Sequence, residues 1–185
     1  MGAKVHCQAV RGKSSMQMRQ MVTQDGEDVI VRANDQKWIA SWHPPLVPPD
    51  GTPHGASGVC GTGDGEIVLI SPDGDHWGLP GGRTEAFETW EETLRREMHE
   101  EACASVIQAR LLGFSRSVCV EGTLKGLILV RSFWRAEVEL ATWKPQFEIP
   151  HRRVFPKADV WNILVTSHSD GSAPILIRAL HEATT

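Results

Sequence analysis

Glu97, Glu100 and Glu101, with Arg96 directly before them and Glu88 upstream, gather four carboxylates and a guanidinium just after a paired glycine, Gly81-Gly82. Mg²⁺ prefers oxygen ligands, keeps several waters and is commonly held by a few carboxylates together with substrate phosphates. The segment Gly81 to Ala104, GGRTEAFETWEETLRREMHEEACA, therefore points to metal-assisted chemistry on phosphates.

Two elements must position these side chains. Leu79-Pro80-Gly81-Gly82 is a loop signal: proline fixes φ, paired glycines open backbone conformations closed to other residues, and bare NH and CO groups can approach a ligand. From Phe87 to near Cys103 the residue types predict a helix, with Glu91 and Glu92 placed to pair with Arg95 and Arg96 at i,i+4. At roughly 100° per residue, Phe87, Trp90, Leu94 and Met98 share an arc of about 80°, a core-facing stripe. Glu97, Glu100 and Glu101 fall in an adjoining arc of about 100°, and Glu101 lies at the angle between Trp90 and Leu94, inside the apolar stripe. An anion there needs a partner or it takes up a proton, and like charges one turn apart repel. A divalent cation resolves both problems. The bland alternative is a solvated acidic face.

The spacing resembles the Nudix box: G, five residues, E, seven residues, R-E-aliphatic-x-E-E-x-G-aliphatic. Gly82 is the first glycine and Glu88 the first glutamate, and Arg96, Glu97, Met98, Glu100 and Glu101 follow in register. The chain departs from the pattern at its end, where Cys103 replaces the closing glycine and Ala104 is the final aliphatic. It differs also at Phe87, where related sequences often carry a glycine. None of these is a proposed ligand. A non-glycine at 103 accepts a left-handed cap less readily, which leaves room for a different helix exit.

The resemblance implies divalent-metal-dependent hydrolysis of a diphosphate bridge in a nucleoside diphosphate linked to another moiety. It implies Glu97 and Glu101 as principal ligands of Mg²⁺ or Mn²⁺, Glu100 as a further ligand, often through water, and the Gly82 carbonyl as a backbone ligand. Arg96 is expected to orient the glutamates or neutralise charge, and Glu88 to hold Arg96 or stand behind the ligands. The cation polarises phosphoryl oxygens and acidifies the attacking water, whose proton a carboxylate accepts. That base is Glu97 or Glu100 within the box, or a later-loop glutamate, for which Glu121 and Glu148 are the candidates.

A weaker match extends over 57–185, with 1–56 as an N-terminal extension. Gly58 to Ser71 looks like a glycine-punctuated hairpin with Ile67 to Ile70 as a buried strand. Val106 to Val120 and Leu124 to Leu140 are β-rich around Glu121-Gly122-Thr123, and His151 to Phe155 reads as a late strand. Ala158 to Val165 and Ala173 to Ala183 read as helices. Periodicity alone gives mixed α and β; the resemblance implies an α/β/α sandwich around a mixed β-sheet. In the extension, Val29 to Val31 and Trp38 to Trp42 suggest two strands, and His43 to His54 a proline-rich linker. Such a segment could cover the sandwich, help close over substrate, or be exchanged within a homodimer.

With 185 residues the chain can bury a core without staples, and a net charge of -4 gives no broad attraction to nucleic acid or an anionic membrane. No apolar run is long enough to span a bilayer and no signal-peptide pattern opens the chain, so a cytoplasmic protein is expected. Met1-Gly2 lacks the Ser or Thr of a myristoylation site, since His6 stands there. Cys7, Cys60, Cys103 and Cys119 show no zinc spacing and are expected to be reduced. Gly61-x-Gly63-x-Gly65 precedes its strand, unlike a dinucleotide fingerprint; Asp73-Gly74-Asp75 lacks the remaining ligands of a calcium loop; His99-Glu100 lacks the second His of HExxH. Trp42, Trp77, Trp134, Trp143 and Trp161 are core candidates first and base-stacking candidates second. Two rival classes are a non-catalytic nucleotide-binding sensor with the same fold, which could lose the carboxylates freely, and an isomerase or decapping enzyme. Neither a basic RNA-binding surface nor an isomerase Cys and Glu pair is legible.

Overall fold

The computed structural model describes residues 22–145, 147 and 149–185. Cys7, the N-terminal Met1-Gly2 and Glu148 lie outside them. Eight strands, β1 (Val29–Ala33), β2 (Gln36–His43), β3 (Thr52–Gly61), β4 (Glu66–Ser71), β5 (Gly81–Arg83), β6 (Ala104–Glu121), β7 (Ile128–Leu140) and β8 (His151–Pro156), join one sheet. Its order is β1-β2-β6-β7-β3-β4-β8, with β5 paired to β3. β3 and β7 run parallel and the other pairs antiparallel, which makes the sheet mixed.

Three helices complete the described residues: α1 (Trp90–Ala102), α2 (Lys157–Ser167) and α3 (Ala173–Thr184). Leu94, Met98 and Ala102 of α1 pack with Ala56, Cys60, Val68, Ile70 and Val138 on one face. Val160 and Leu164 of α2, with Ile175, Ile177 and Leu180 of α3, pack with Trp42, Val59, Ile67, Leu69 and Phe133 on the other. This is the expected α/β/α sandwich. β4 shows why its sequence is continuously apolar: successive side chains point to opposite faces, and a helical layer covers each. No helix among the described residues is long and apolar enough to cross a membrane.

The β1–β2 hairpin turns through Asn34 and Asp35, both at positive φ (51° and 58°), which a two-residue turn of the I′ kind requires and these residue types tolerate. β3 begins at Thr52, so part of the proline-rich stretch is strand and the loop from β2 is confined to 44–51. Asp73 accepts hydrogen bonds from the amides of Asp75 and His76, which makes that segment a turn. The tryptophans are mostly packed: Trp42 is fully buried, Trp77 meets Phe155 edge-on, Trp161 joins the core, and Trp143 lies under the Arg152 guanidinium.

Two expectations about α1 are corrected. The helix starts at Trp90, not Phe87, because Thr89 caps it: its Oγ1 accepts from the Glu92 amide, and the Glu92 carboxylate accepts from the Thr89 amide. Phe87 therefore leaves the core stripe and is fully exposed, at φ 71°. Glu92, engaged in the cap, does not pair with Arg96, whereas Glu91 and Arg95 do pair, at 2.8 Å. The helix exit is conserved in form despite the lost glycine. Cys103 takes the left-handed conformation (φ 44°, ψ 51°), and its amide donates to the Met98 carbonyl.

Phe87 and Cys103 thus both hold backbone conformations that cost an L residue roughly 1–2 kcal/mol, offset in part when glycine enlarges the freedom of the unfolded chain. Phe87→Gly and Cys103→Gly are each expected to raise stability by up to about 1 kcal/mol. Urea midpoints at unchanged slope would show it; a lowered midpoint in both would mean that side-chain contacts outweigh the strain.

Candidate metal and phosphate centre

β3 holds β5 in place through Ala56↔Gly82 and Ser57↔Gly81, and α1 packs its Glu97 edge beneath that short strand. The approach is close: a Cβ on Gly82 would collide with the Glu97 carboxylate, which would have to move away from the strand to admit a side chain there. Glu101 Oε2 accepts the Gly81 amide at 2.8 Å.

Arg96 organises the remainder. Its Nε and Nη2 bind Glu88 in a fork (2.7 and 3.1 Å), Nη2 also donates to the Arg83 carbonyl (2.8 Å), and Nη1 reaches Glu97 Oε1 (2.9 Å) and Glu100 Oε2 (3.1 Å). Every N–H of the guanidinium is used. Glu88 accepts further from the Glu85 amide and Thr93 Oγ1, and the hydrogen bond from Arg96 pulls its carboxyl down to about 2. Glu97 and Glu101 experience the opposite. Burial raises Glu97, whose exposure is 8%, against the pull of Arg96. Burial pushes Glu101 up to about 7, against the Gly81 amide, and the Glu97 charge adds to the rise.

Among the described residues, no three His, Cys, Asp or Glu side chains converge as a ready-made ligand set, since Glu97 and Glu100 turn to Arg96 and Glu101 to Gly81. The chemistry of the donors nevertheless fits a hard dication. Two desolvated carboxylates lie against a strand whose missing Cβ leaves room, and the charge near them falls short of neutralising them.

The structure thus brings together Gly82, Glu88, Arg96, Glu97, Glu100 and Glu101. It does not bring Glu121 to them: that residue ends β6 opposite Lys37 of β2, on the side of the sheet order away from β3. Sequence reasoning missed Arg131 of β7, whose Nη1 donates to the Ala56 carbonyl (3.2 Å) and Ser57 Oγ (2.9 Å). Its guanidinium is desolvated enough that burial lowers its pKa, while the charges of Glu97 and Glu101 partly restore it. The one legible signal was a charge two residues before Phe133, on the same face of a strand.

A carboxyl raised on folding binds its proton more tightly in the folded state, so stability falls as pH climbs from the unfolded value near 4.5 through about 7. Without divalent cation, the chain is expected to lose stability between pH 5 and pH 8 more steeply than Glu101→Gln, and Mg²⁺ to restore it at the upper end (~pH 8). Parallel slopes in thermal melts of the two proteins would remove this account of Glu101.

Residues 52–175 match the family model described as NUDIX domain. Similar solved structures include a mutant form of the Bacillus subtilis pyrophosphohydrolase BsRppH, at 18% identity, 84% of this chain, 95% of that one and a TM-score of 0.64. A NUDIX hydrolase from Nitrosomonas europaea aligns at 18% identity over 72% of this chain and 89% of that one, with a TM-score of 0.54. The mutator MutT protein of Bacillus halodurans aligns at 22% over 69% and 81%, with a TM-score of 0.52. No curated protein matches the sequence. At these identities the structural likeness establishes the fold. The family model, however, spans well over half of the sequence and takes in the glycine strand with its whole carboxylate helix, and on that ground the chain belongs to the NUDIX family.

Proposed function

We propose that this Nudix hydrolase cleaves the diphosphate bridge of a nucleoside diphosphate linked to another moiety, with Mg²⁺ or Mn²⁺. The observation that carries the reading is the pair of desolvated carboxylates, Glu97 and Glu101, against the Cβ-free backbone of Gly82. A structural acidic helix would gain nothing from burying them; a cation site requires it. BsRppH, the similar structure that covers most of this chain, is described as a pyrophosphohydrolase, which agrees with this reaction class.

The residues divide the work. Glu97 and Glu101, with Glu100 and the Gly82 carbonyl, would hold the cation, which supplies charge stabilisation at the phosphoryl oxygens and a more acidic water. Arg96 orients Glu97 and Glu100, and Glu88 fixes Arg96 through its fork. Either Glu97 or Glu100 accepts the proton of the attacking water; Glu100, more exposed and held only by Arg96, has the greater freedom to do so. The sensor alternative has no use for this clamp, since a protein that only binds nucleotide need not keep Glu88, Glu97 and Glu100 around one guanidinium.

A screen of nucleoside diphosphate conjugates with Mg²⁺ and Mn²⁺ tests the reading, with products resolved after reaction in heavy-oxygen water to locate the attacked phosphorus. Glu97→Gln and Glu101→Gln are each expected to lower metal-dependent turnover by roughly 10²–10⁴-fold while circular dichroism stays unchanged. Full activity retained in both would sink the site assignment, and no product release across the panel would favour the sensor.

A further inference from the structure

We infer that Arg83 and Arg131, facing one another across Gly55, form a second phosphate-binding position that takes the substrate phosphate lying outside the carboxylate cluster. The inference rests on the proposed reading of the site and deepens it. Register places the two residues together: Gly55 of β3 pairs with Arg83 of β5 on one side and with Arg131 of β7 on the other. Paired residues on adjacent strands direct their side chains to the same face. The residue between them contributes no side chain. A Cβ on Gly55 would collide with the Gly82 carbonyl and stand 3.0 Å from Arg131 Nη2, so the Arg131 guanidinium and that carbonyl share the space above Gly55. The second position therefore borders the first.

The donors are arranged for an absent acceptor. Arg131 is fixed by Nη1 to Ala56 and Ser57, which leaves Nε and Nη2 without a hydrogen bond among the described residues. Neither Arg83 nor Arg131 has a carboxylate within ion-pair distance there, although Arg131 feels the charges of Glu97 and Glu101. Half-buried His54, next to Gly55, has its imidazole pushed down by burial, then by the charges of Arg131 and Arg83, so both cations act on one place. Thr84, whose amide donates to the His54 carbonyl, has a buried Oγ1 with no hydrogen-bond partner among the described residues. Two like charges on the strands either side of β3 repel, and an anion between them relieves that repulsion. Guanidinium forks match phosphate oxygens in geometry and charge.

The test is calorimetric titration of inorganic pyrophosphate into the full chain with Mg²⁺ present, beside titration of Mg²⁺ alone. Arg83→Met and Arg131→Met are each expected to weaken pyrophosphate binding by at least about tenfold, with Mg²⁺ affinity kept within about twofold. Arg116→Met removes a guanidinium that pairs with Asp50 outside this row and is expected to leave pyrophosphate binding unchanged. If Arg131→Met does not fold, Arg131→Lys, which keeps the charge and loses the fork, should still weaken binding. The inference is overturned if the unaltered chain does not bind pyrophosphate, if both arginine variants bind it normally, or if Arg116→Met weakens it equally. The titrations read binding without turnover, so set beside the conjugate screen they separate the two failures. Arginine-dependent binding in a chain that hydrolyses no conjugate would remove the proposed activity alone; normal KM for a hydrolysed conjugate in both variants would remove the arginine pair alone.

Discussion

The guanidinium of Arg96 is the interaction on which the site's geometry depends, because it ties together three stretches of chain at one point. It bonds the Arg83 carbonyl at the end of β5, Glu88 in the loop, and Glu97 and Glu100 on α1. Without it, four carboxylates would face one another across a half-buried space, and repulsion would open the loop from the helix. The fork to Glu88 matters as much as the charge. A lysine could neutralise one carboxylate but could not hold a planar pair while donating to a carbonyl behind it. Thr93 and the Glu85 amide fix Glu88 in turn, so the clamp is anchored from both the loop and the helix.

The backbone carries the other half of the constraint. The Glu97 carboxylate lies where a Gly82 Cβ would stand, and β5 is held beside it by its pairing with β3. The loop from β5 to α1 then turns through Phe87 at positive φ, and α1 ends through Cys103 in the left-handed conformation, both positions where glycine would be the easier choice. Local strain is thus held at the two ends of the segment that bears the carboxylates. The surrounding pairings over-determine it: the Thr89–Glu92 capping box fixes the start of the helix, and strand β6 follows directly after its end.

What the sequence disclosed follows the same physics. The carboxylate segment was legible because its residues are contiguous and helical spacing converts directly into a face: Glu97 and Glu101 lie on the buried edge as the wheel requires. The strands and late helices were legible because continuous apolar runs and 3.6-residue periodicity each have one simple structural solution. Phe87 was misread because the helical wheel assumes a helix that the Thr89 cap refuses, and the pairing of Arg96 was misread because i,i+4 arithmetic does not see a loop glutamate folding back. The left-handed cap survived at Cys103 because tertiary packing of Ala102 and Ala104, both buried, outweighs the local preference.

A sharper division separates the reaction class from the substrate. Residues that define the chemistry sit in one segment whose local spacing persists whatever the rest of the sheet does. Arg131 reaches the same centre from β7 only through the parallel register with β3, and a shift of one residue in that register would turn its side chain to the α1 face. No local pattern encodes such a register; it is set by the whole sheet, including the irregularity between Pro53 and Gly55 that brings Gly55 opposite Arg131. The proposed phosphate position is of this second kind, gathered from β3, β5 and β7. A family box can therefore be complete and well read while the specificity it serves stays hidden until the strands are laid side by side.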